Sequence, residues 1–438
     1  MRDVILHAFH WTYQEIATKA QEIAAIGYGA VLFPPPFYSD PEGSEWWQAY
    51  QPKDYRVVRS WSGRKADLVA AIQALKAAGV RSYVDVVFNH MANENRTDRF
   101  QFPGRAELAR YAAEREEFEK DRLYGNLDEG LFNERDFHPP RDIADWTDSE
   151  EIVHRALSGL PDLVLSIAVV QEQIRCLKAL VDIGFEGFRV DAVKHLPTDH
   201  ITAVFHSEPL RGKFLFGETL TFDEQQNREF LWPIVRDTGL PCYDFPLQQS
   251  LLRAFSPGGS MRCLSDPAAV GMALPPHQAV TFTITHDVPN NDGFRGMILE
   301  GHDEFLANAY VLGRDGGVPM VYSDHGESVV RFPEDNGRWD GCWDRYDIVQ
   351  MVGFHNAVHG LPQRTLWEDD DCLVFVRGDR GLVAVNKGRH WSSPFLDASC
   401  LRRGTYRCQI HQHRMTILDE HLHLALPPRQ AQMWLLED

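Results

Sequence analysis

Apolar residues recur at helical spacing through Ile174, Leu177, Leu180, Val181 and Ile183, and Gly184 ends the run. The next five residues, 187–191, are too few for another helix and read as a buried strand. That strand closes on Arg189 and Asp191, two apart and therefore on one face. A charged pair on an apolar strand is costly unless the face opens onto a site. The alternative is a buried structural ion pair. The same strand–helix rhythm runs through most of the chain. A strand over 4–9 precedes a helix over Tyr13–Ile26, which Gly27 stops. Strand Ala30–Phe33 precedes an aromatic loop at 46–52 and a helix over 64–78, with Leu68, Ile72 and Leu75 inward. Further strands are expected at 80–88, 187–191, 214–218, 242–247, 279–286 and 319–322, with helices at 170–183, 303–313 and 346–358. Eight such units predict an α/β fold, a (β/α)8 TIM barrel.

The rhythm breaks twice. Residues 91–164 are polar and charged, too long for a structureless loop, and read as a small domain inserted after the third strand. From about Trp367 the period changes to two, which predicts a C-terminal antiparallel β domain. The expected division is a barrel over 1–90 and 165–366, an inserted domain over 91–164 and a β domain over 367–438.

Lys plus Arg number 44 against 63 Asp plus Glu in 438 residues, a net charge of −19. Such an acidic surface argues against nucleic acid and anionic membranes as partners and suits an enzyme with a neutral substrate. Seven scattered cysteines without a CxxC pair argue against a disulfide framework and for a reducing compartment. The start of the chain lacks a basic stretch with an apolar signal core, and no stretch reads as a membrane span, so a cytoplasmic protein is expected. A monomer without an organic cofactor is expected, since no stretch points to a partner surface.

The strand ends carry the chemistry. The third ends in Asn89 and His90, the fourth in Arg189 and Asp191, the fifth in Glu218 and the seventh in His286 and Asp287. Barrel closure brings such ends onto one rim. Clustered carboxyls raise the pKa of at least one of them, which gives an acid beside ionised partners. Trp46, Trp47 and Tyr50, beside Gln51, offer flat faces on which sugar rings stack, although a single Trp is more often core packing. Paired carboxyls with such aromatics read as glycoside hydrolysis.

Asp85-Val-Val-Phe-Asn-His90, Gly187-Phe-Arg-Val-Asp191 with Lys194-His195, Phe216-Gly-Glu218 and 282–287 resemble, in order, signature segments of the α-amylase family of glycoside hydrolases. Residues 46–52 and 160–163 match two further segments. The resemblance implies that Asp191 is the nucleophile, Glu218 the general acid/base and Asp287 the stabiliser of the transition state, with Arg189 orienting Asp191. It implies sugar contacts from His90, His286 and Tyr50 at the cleaved bond, from Trp46, Trp47 and Gln51 on the non-reducing side, and from Lys194 and His195 on the leaving side. A nucleophilic Asp implies retention, with the two carboxyls roughly 5–5.5 Å apart. Gly217 fits because a bulkier neighbour of Glu218 would crowd the cleft.

The resemblance also implies a structural calcium held by Asn89, Asp162 and the carbonyl of His195, all oxygen donors. Against it, His154 stands where some relatives carry a carboxylate. Thr285 stands where chloride-dependent relatives carry Asn, so no chloride is expected. The implied activity is retaining, endo-acting hydrolysis of α-1,4 bonds in starch, glycogen or malto-oligosaccharides. A 4-α-glucanotransferase or cyclomaltodextrinase is the alternative within the family. A non-catalytic glucan-binding protein is the alternative outside it.

Overall fold

The computed structural model describes residues 2–40, 43, 45–93, 101–326, 328 and 337–437. Part of the expected insertion, 94–100, lies outside these residues, as do the two chain ends.

Eight short parallel strands close into a barrel: Ile5–Ala8 (β1), Ala30–Phe33 (β2), Arg81–Val86 (β3), Gly187–Val190 (β4), Phe214–Gly217 (β5), Cys242–Tyr243 (β6), Ala279–Thr281 (β7) and Val318–Ser323 (β8). Each strand pairs with its neighbours in sequence, and β8 returns to β1. Apolar residues on both strand faces are what a sheet buried on both sides requires. One face fills the interior with Ile5, Leu32, Tyr83, Phe216, Tyr243 and Met320. The other packs outward against the helices with Leu6, Val31, Val84, Phe188 and Val190. By alternation Arg189 belongs to the interior set.

Local signals place the crossover helices. Thr12 caps Tyr13–Ile26 in a reciprocal pair with Glu15, and Gly27 ends it in the left-handed region at φ 112°. Ser166 caps Ile167–Ile183, which Gly184 closes at φ 119°.

Three expectations within the barrel segments are corrected. The sixth strand is Cys242–Tyr243, not 242–247, because Asp244 starts helix Phe245–Phe255 and its carboxylate accepts the Leu247 N–H at 3.0 Å. The seventh strand pairs only over Ala279–Thr281, although Phe282 and Ile284 stay buried. The aromatic loop is a 3₁₀ helix, Trp46–Tyr50.

Between β3 and β4 the chain forms helices Arg105–Ala113, Arg115–Asp121 and Ser149–His154. Tyr111, Phe118 and Leu127 there share a small core with Tyr38 and Val57. The segment after β2, with strands Phe37–Tyr38, Asp54–Ser60 and Gly63–Arg64, thus packs with this excursion. The excursion meets the barrel rim where Leu163 N–H donates to the Asn89 carbonyl at 2.9 Å and Met91 N–H to that of Pro161 at 3.1 Å.

The C-terminal six-stranded antiparallel sheet begins at Gln363 rather than Trp367, since Gln363–Glu368 pairs with Cys372–Arg377. Among the described residues no helix is long and apolar enough to cross a membrane.

Candidate active site

Strand register levels the key side chains. Asp85 of β3 pairs with Arg189 of β4, and Val190 pairs with Gly217 of β5. Asp191 and Glu218, each one residue further on, therefore emerge side by side at the carboxyl end of the barrel. Their backbone N–H groups extend the ladder, Asp191 to Val86 and Glu218 to Val190, both at 2.9 Å. Ala192 then turns into the left-handed region at φ 51° and starts a 3₁₀ turn, Val193–His195, that brings Lys194 and His195 to the rim.

Arg189 is fully buried, with Tyr50 and Tyr243 rings centred 5.8 Å from its guanidinium carbon. Its Nη1 donates to Asp85 at 2.6 Å and to Asp191 at 2.7 Å. Its Nη2 lies 2.6 Å from Glu218 and 3.7 Å from Asp287, as ion pairs without in-line hydrogen bonds. Four carboxyl groups thus share one cation. Burial pushes the Glu218 carboxyl up to about 8, with Arg189 opposing and Asp287 adding to the rise. Burial also raises Asp191 and Asp287, with Arg189 again opposing. A proton held by Glu218 near neutral pH relieves this excess of negative charge.

A cavity of about 560 Å³ opens above them. It is lined by Asp191, Glu218 and Asp287 together with Trp46, Trp47, Tyr50, Gln51, His90, Lys194 and His195. Arg189 and His286 are not in its wall. His286 is buried between the rings of Phe9 and Tyr50, 4.8 and 5.0 Å away, with Nε2 3.2 Å from Asp287. Both sit beneath the wall, against the carboxyls that line it. Tyr50 turns one face to His286, and its hydroxyl donates to Asp85 at 2.9 Å. Trp46 packs against Phe9 and Tyr50, while Trp47 is 42% exposed. The Lys194 ammonium lies 4.4 Å from the Phe230 ring centre, and burial lowers its pKa to about 8.

The sequence reading missed Trp146, Phe222 and Phe294, which also line the cavity. Trp146 is 48% exposed and meets the His195 ring edge-on at 6.1 Å. It stands in a polar stretch without periodicity, where only residue type could have marked it. Gly217 is explained differently from expectation. A Cβ there would lie 2.7 Å from Val193 and 2.9 Å from Leu240, so the crowding is in the barrel wall and not in the cleft.

The proposed calcium donors do converge. His90 donates from Nε2 to the Tyr50 carbonyl at 3.0 Å, and burial lowers its pKa, so neutral His90 needs a donor at Nδ1. Asn89 Nδ2, 3.4 Å away, supplies it. That orientation aims the Asn89 side-chain oxygen at Asp162 Oδ1 and the His195 carbonyl, whereas turning the amide would place nitrogen 3.2 and 3.0 Å from them but oxygen toward His90. Three oxygens facing one another fit a hard cation. His138 Nδ1, 2.6 Å from Asp162 Oδ2, already draws on that carboxylate, and His154 points to Glu150 at 3.7 Å. Burial pushes the Asp162 carboxyl up to about 7, with His138 opposing.

Three carboxyls at one cavity, one of them pushed up to about 8, with exposed rings in the wall, are the equipment for breaking a glycosidic bond, and the class is glycoside hydrolase. A family model for the α-amylase catalytic domain matches residues 12–237. The chain is 45% identical over 415 residues to an α-amylase of Aeromonas hydrophila, covering 92% of this chain and 88% of that one. It is 29% identical over 418 residues to an α-amylase of Thermomonospora curvata, covering 88% and 64%. The chain belongs to the α-amylase family. In fold it is similar to α-amylase I of Eisenia fetida, solved as a variant with maltohexaose, with a TM-score of 0.80, 20% identity and coverage of 100% and 97%. It is also similar to a three-domain cyclomaltodextrin glucanotransferase, with a TM-score of 0.72, 19% identity and coverage of 97% and 90%.

Proposed function

We propose that this hydrolase cleaves internal α-1,4 bonds of starch, glycogen or malto-oligosaccharides with net retention. The observation that carries the reading is the pair Asp191 and Glu218 on the two terminal nitrogens of Arg189, facing one cavity. Asp191, held by an in-line bond from Arg189, attacks the anomeric carbon. Glu218, protonated by burial, gives its proton to the leaving oxygen, and its carboxylate then takes a proton from the incoming water. Asp287, between Glu218 and His286, stabilises the positive charge that develops on the sugar. Trp47 and Gln51 hold glucose units on one side of the cut, and Lys194 and His195 on the other. The cavity is open, which suits an internal segment of a chain.

Calcium, bound through Asn89, Asp162 and the His195 carbonyl, would tie the excursion to the rim. His154 in place of a carboxylate makes it a weak site. Catalysis needs no chloride, because Thr285 offers no amide donor. Seven free cysteines suit a reducing compartment.

The glucanotransferase alternative shares this fold and differs in whether water or sugar resolves the intermediate. Maltoheptaose digestion separates the two. Hydrolysis gives only shorter products, whereas oligosaccharides longer than maltoheptaose would establish transfer.

A further inference from the structure

On the face of the barrel opposite the active site, Asp3, His355 and His359 bring three ligand atoms within 4.8 Å of one another. Asp3 precedes β1, and the two histidines lie one turn apart at the end of the last barrel helix, Tyr346–Val358. The group therefore joins the first barrel element to the last.

Its chemistry is specific. His355 Nδ1 lies 3.1 Å from the Leu312 carbonyl, and its Nε2 lies 2.8 Å from Asp3 Oδ1. Both ring nitrogens of a nearly buried imidazole thus face acceptors. A neutral ring can donate from only one of them, so the second contact requires a positive charge, a proton or a metal. His359 Nδ1 approaches the same Asp3 oxygen at 3.4 Å. Two nitrogens and a carboxylate oxygen are the donor set of a borderline metal. Ligands at zinc's bond lengths stand about 3.3 Å apart in a tetrahedron. The observed 2.8 and 3.4 Å bracket that separation. The Leu312 carbonyl supplies the outer hydrogen bond that fixes the tautomer of a metal-bound histidine. The Asp3 backbone is pinned, since the Arg2 carbonyl accepts from Arg81 at 2.9 Å and the Val4 carbonyl accepts from Gly29 N–H at 2.9 Å. His359, with its side chain 32% exposed, leaves a fourth position open to water.

We propose that Asp3, His355 and His359 form a structural site for a divalent transition metal, zinc in the first instance, that staples the start of the barrel to its last helix. The site is separate from the oxygen-only donors at Asn89 and Asp162.

The test uses the full chain, stripped of metal and then held in excess calcium, which favours oxygen donors. Zinc is titrated by calorimetry, and cobalt by its visible absorption. The expected result is one equivalent bound, a tetrahedral cobalt spectrum and a higher thermal midpoint. His359→Ala, at the exposed position, and Asp3→Asn should each weaken zinc at least tenfold and abolish the cobalt spectrum while leaving starch hydrolysis unchanged. Absence of saturable binding, or binding that His359→Ala leaves intact, would overturn the proposal.

Discussion

Nη2 of Arg189 lies 2.6 Å from Oε1 of Glu218, while Nη1 of the same guanidinium donates to Asp191 at 2.7 Å. A rigid planar fork therefore sets the spacing of the two carboxyls. Lysine offers one point charge and cannot hold both ends. Arg189→Lys should lower kcat by roughly 100-fold or more, the scale of an ångström's misplacement. Steady-state kinetics with circular dichroism as a folding control checks this, and near-normal turnover would refute it.

The raised Glu218 carboxyl has a signature in pH. Its value of about 8 exceeds the ordinary 4.5, so the folded enzyme keeps the proton through neutral pH and loses it above. Activity should fall on the alkaline side as Glu218 ionises near 8, and on the acid side as Asp191 becomes protonated. The stability sign follows. The folded state binds this proton more tightly, so the Glu218 contribution declines as pH rises from 4.5 towards 8. Glu218→Gln should lower kcat by roughly 10²–10⁴, leave maltoheptaose binding intact and abolish the alkaline limb. Persistence of that limb in the variant would assign the proton elsewhere.

Trp146 contributes a half-exposed ring to the cavity wall beside His195. Trp146→Ala should raise KM for maltoheptaose about fivefold, equivalent to about 1 kcal/mol of stacking, with little change in kcat. An unchanged KM would remove Trp146 from the binding surface.

The oxygen cluster at Asn89 predicts a dependence on calcium. In enzyme already freed of transition metals, removing calcium should lower the thermal midpoint by about 2–5 °C, since a weak site at modest saturation contributes little. Added calcium should restore it. A midpoint indifferent to both would show that hydrogen bonds alone hold the junction.

The sequence made the barrel legible because its strands are buried on both faces and its helices carry plain stop signals, as at Gly27 and Gly184. Helices Tyr13–Ile26 and Tyr346–Val358 match their expected bounds. The sixth strand misled because Phe245 and Leu247 are as apolar as strand residues. Only the capping role of Asp244 separates the two readings. The carboxyls were legible because each ends an apolar run. That Arg189 and His286 lie beneath the cavity wall was not, because depth within a barrel depends on which neighbours stack above. Phe9, which covers His286, comes from the far end of the sequence. Trp146 was hidden for the opposite reason, since nothing around it is periodic.

The most direct measurement is peptide mapping by mass spectrometry after reaction with a fluorinated maltosyl fluoride, which forms the glycosyl-enzyme faster than water resolves it. One sugar adduct per chain is expected, on the carboxylate of Asp191. An adduct on another residue, or a first product of inverted anomeric configuration, would contradict it.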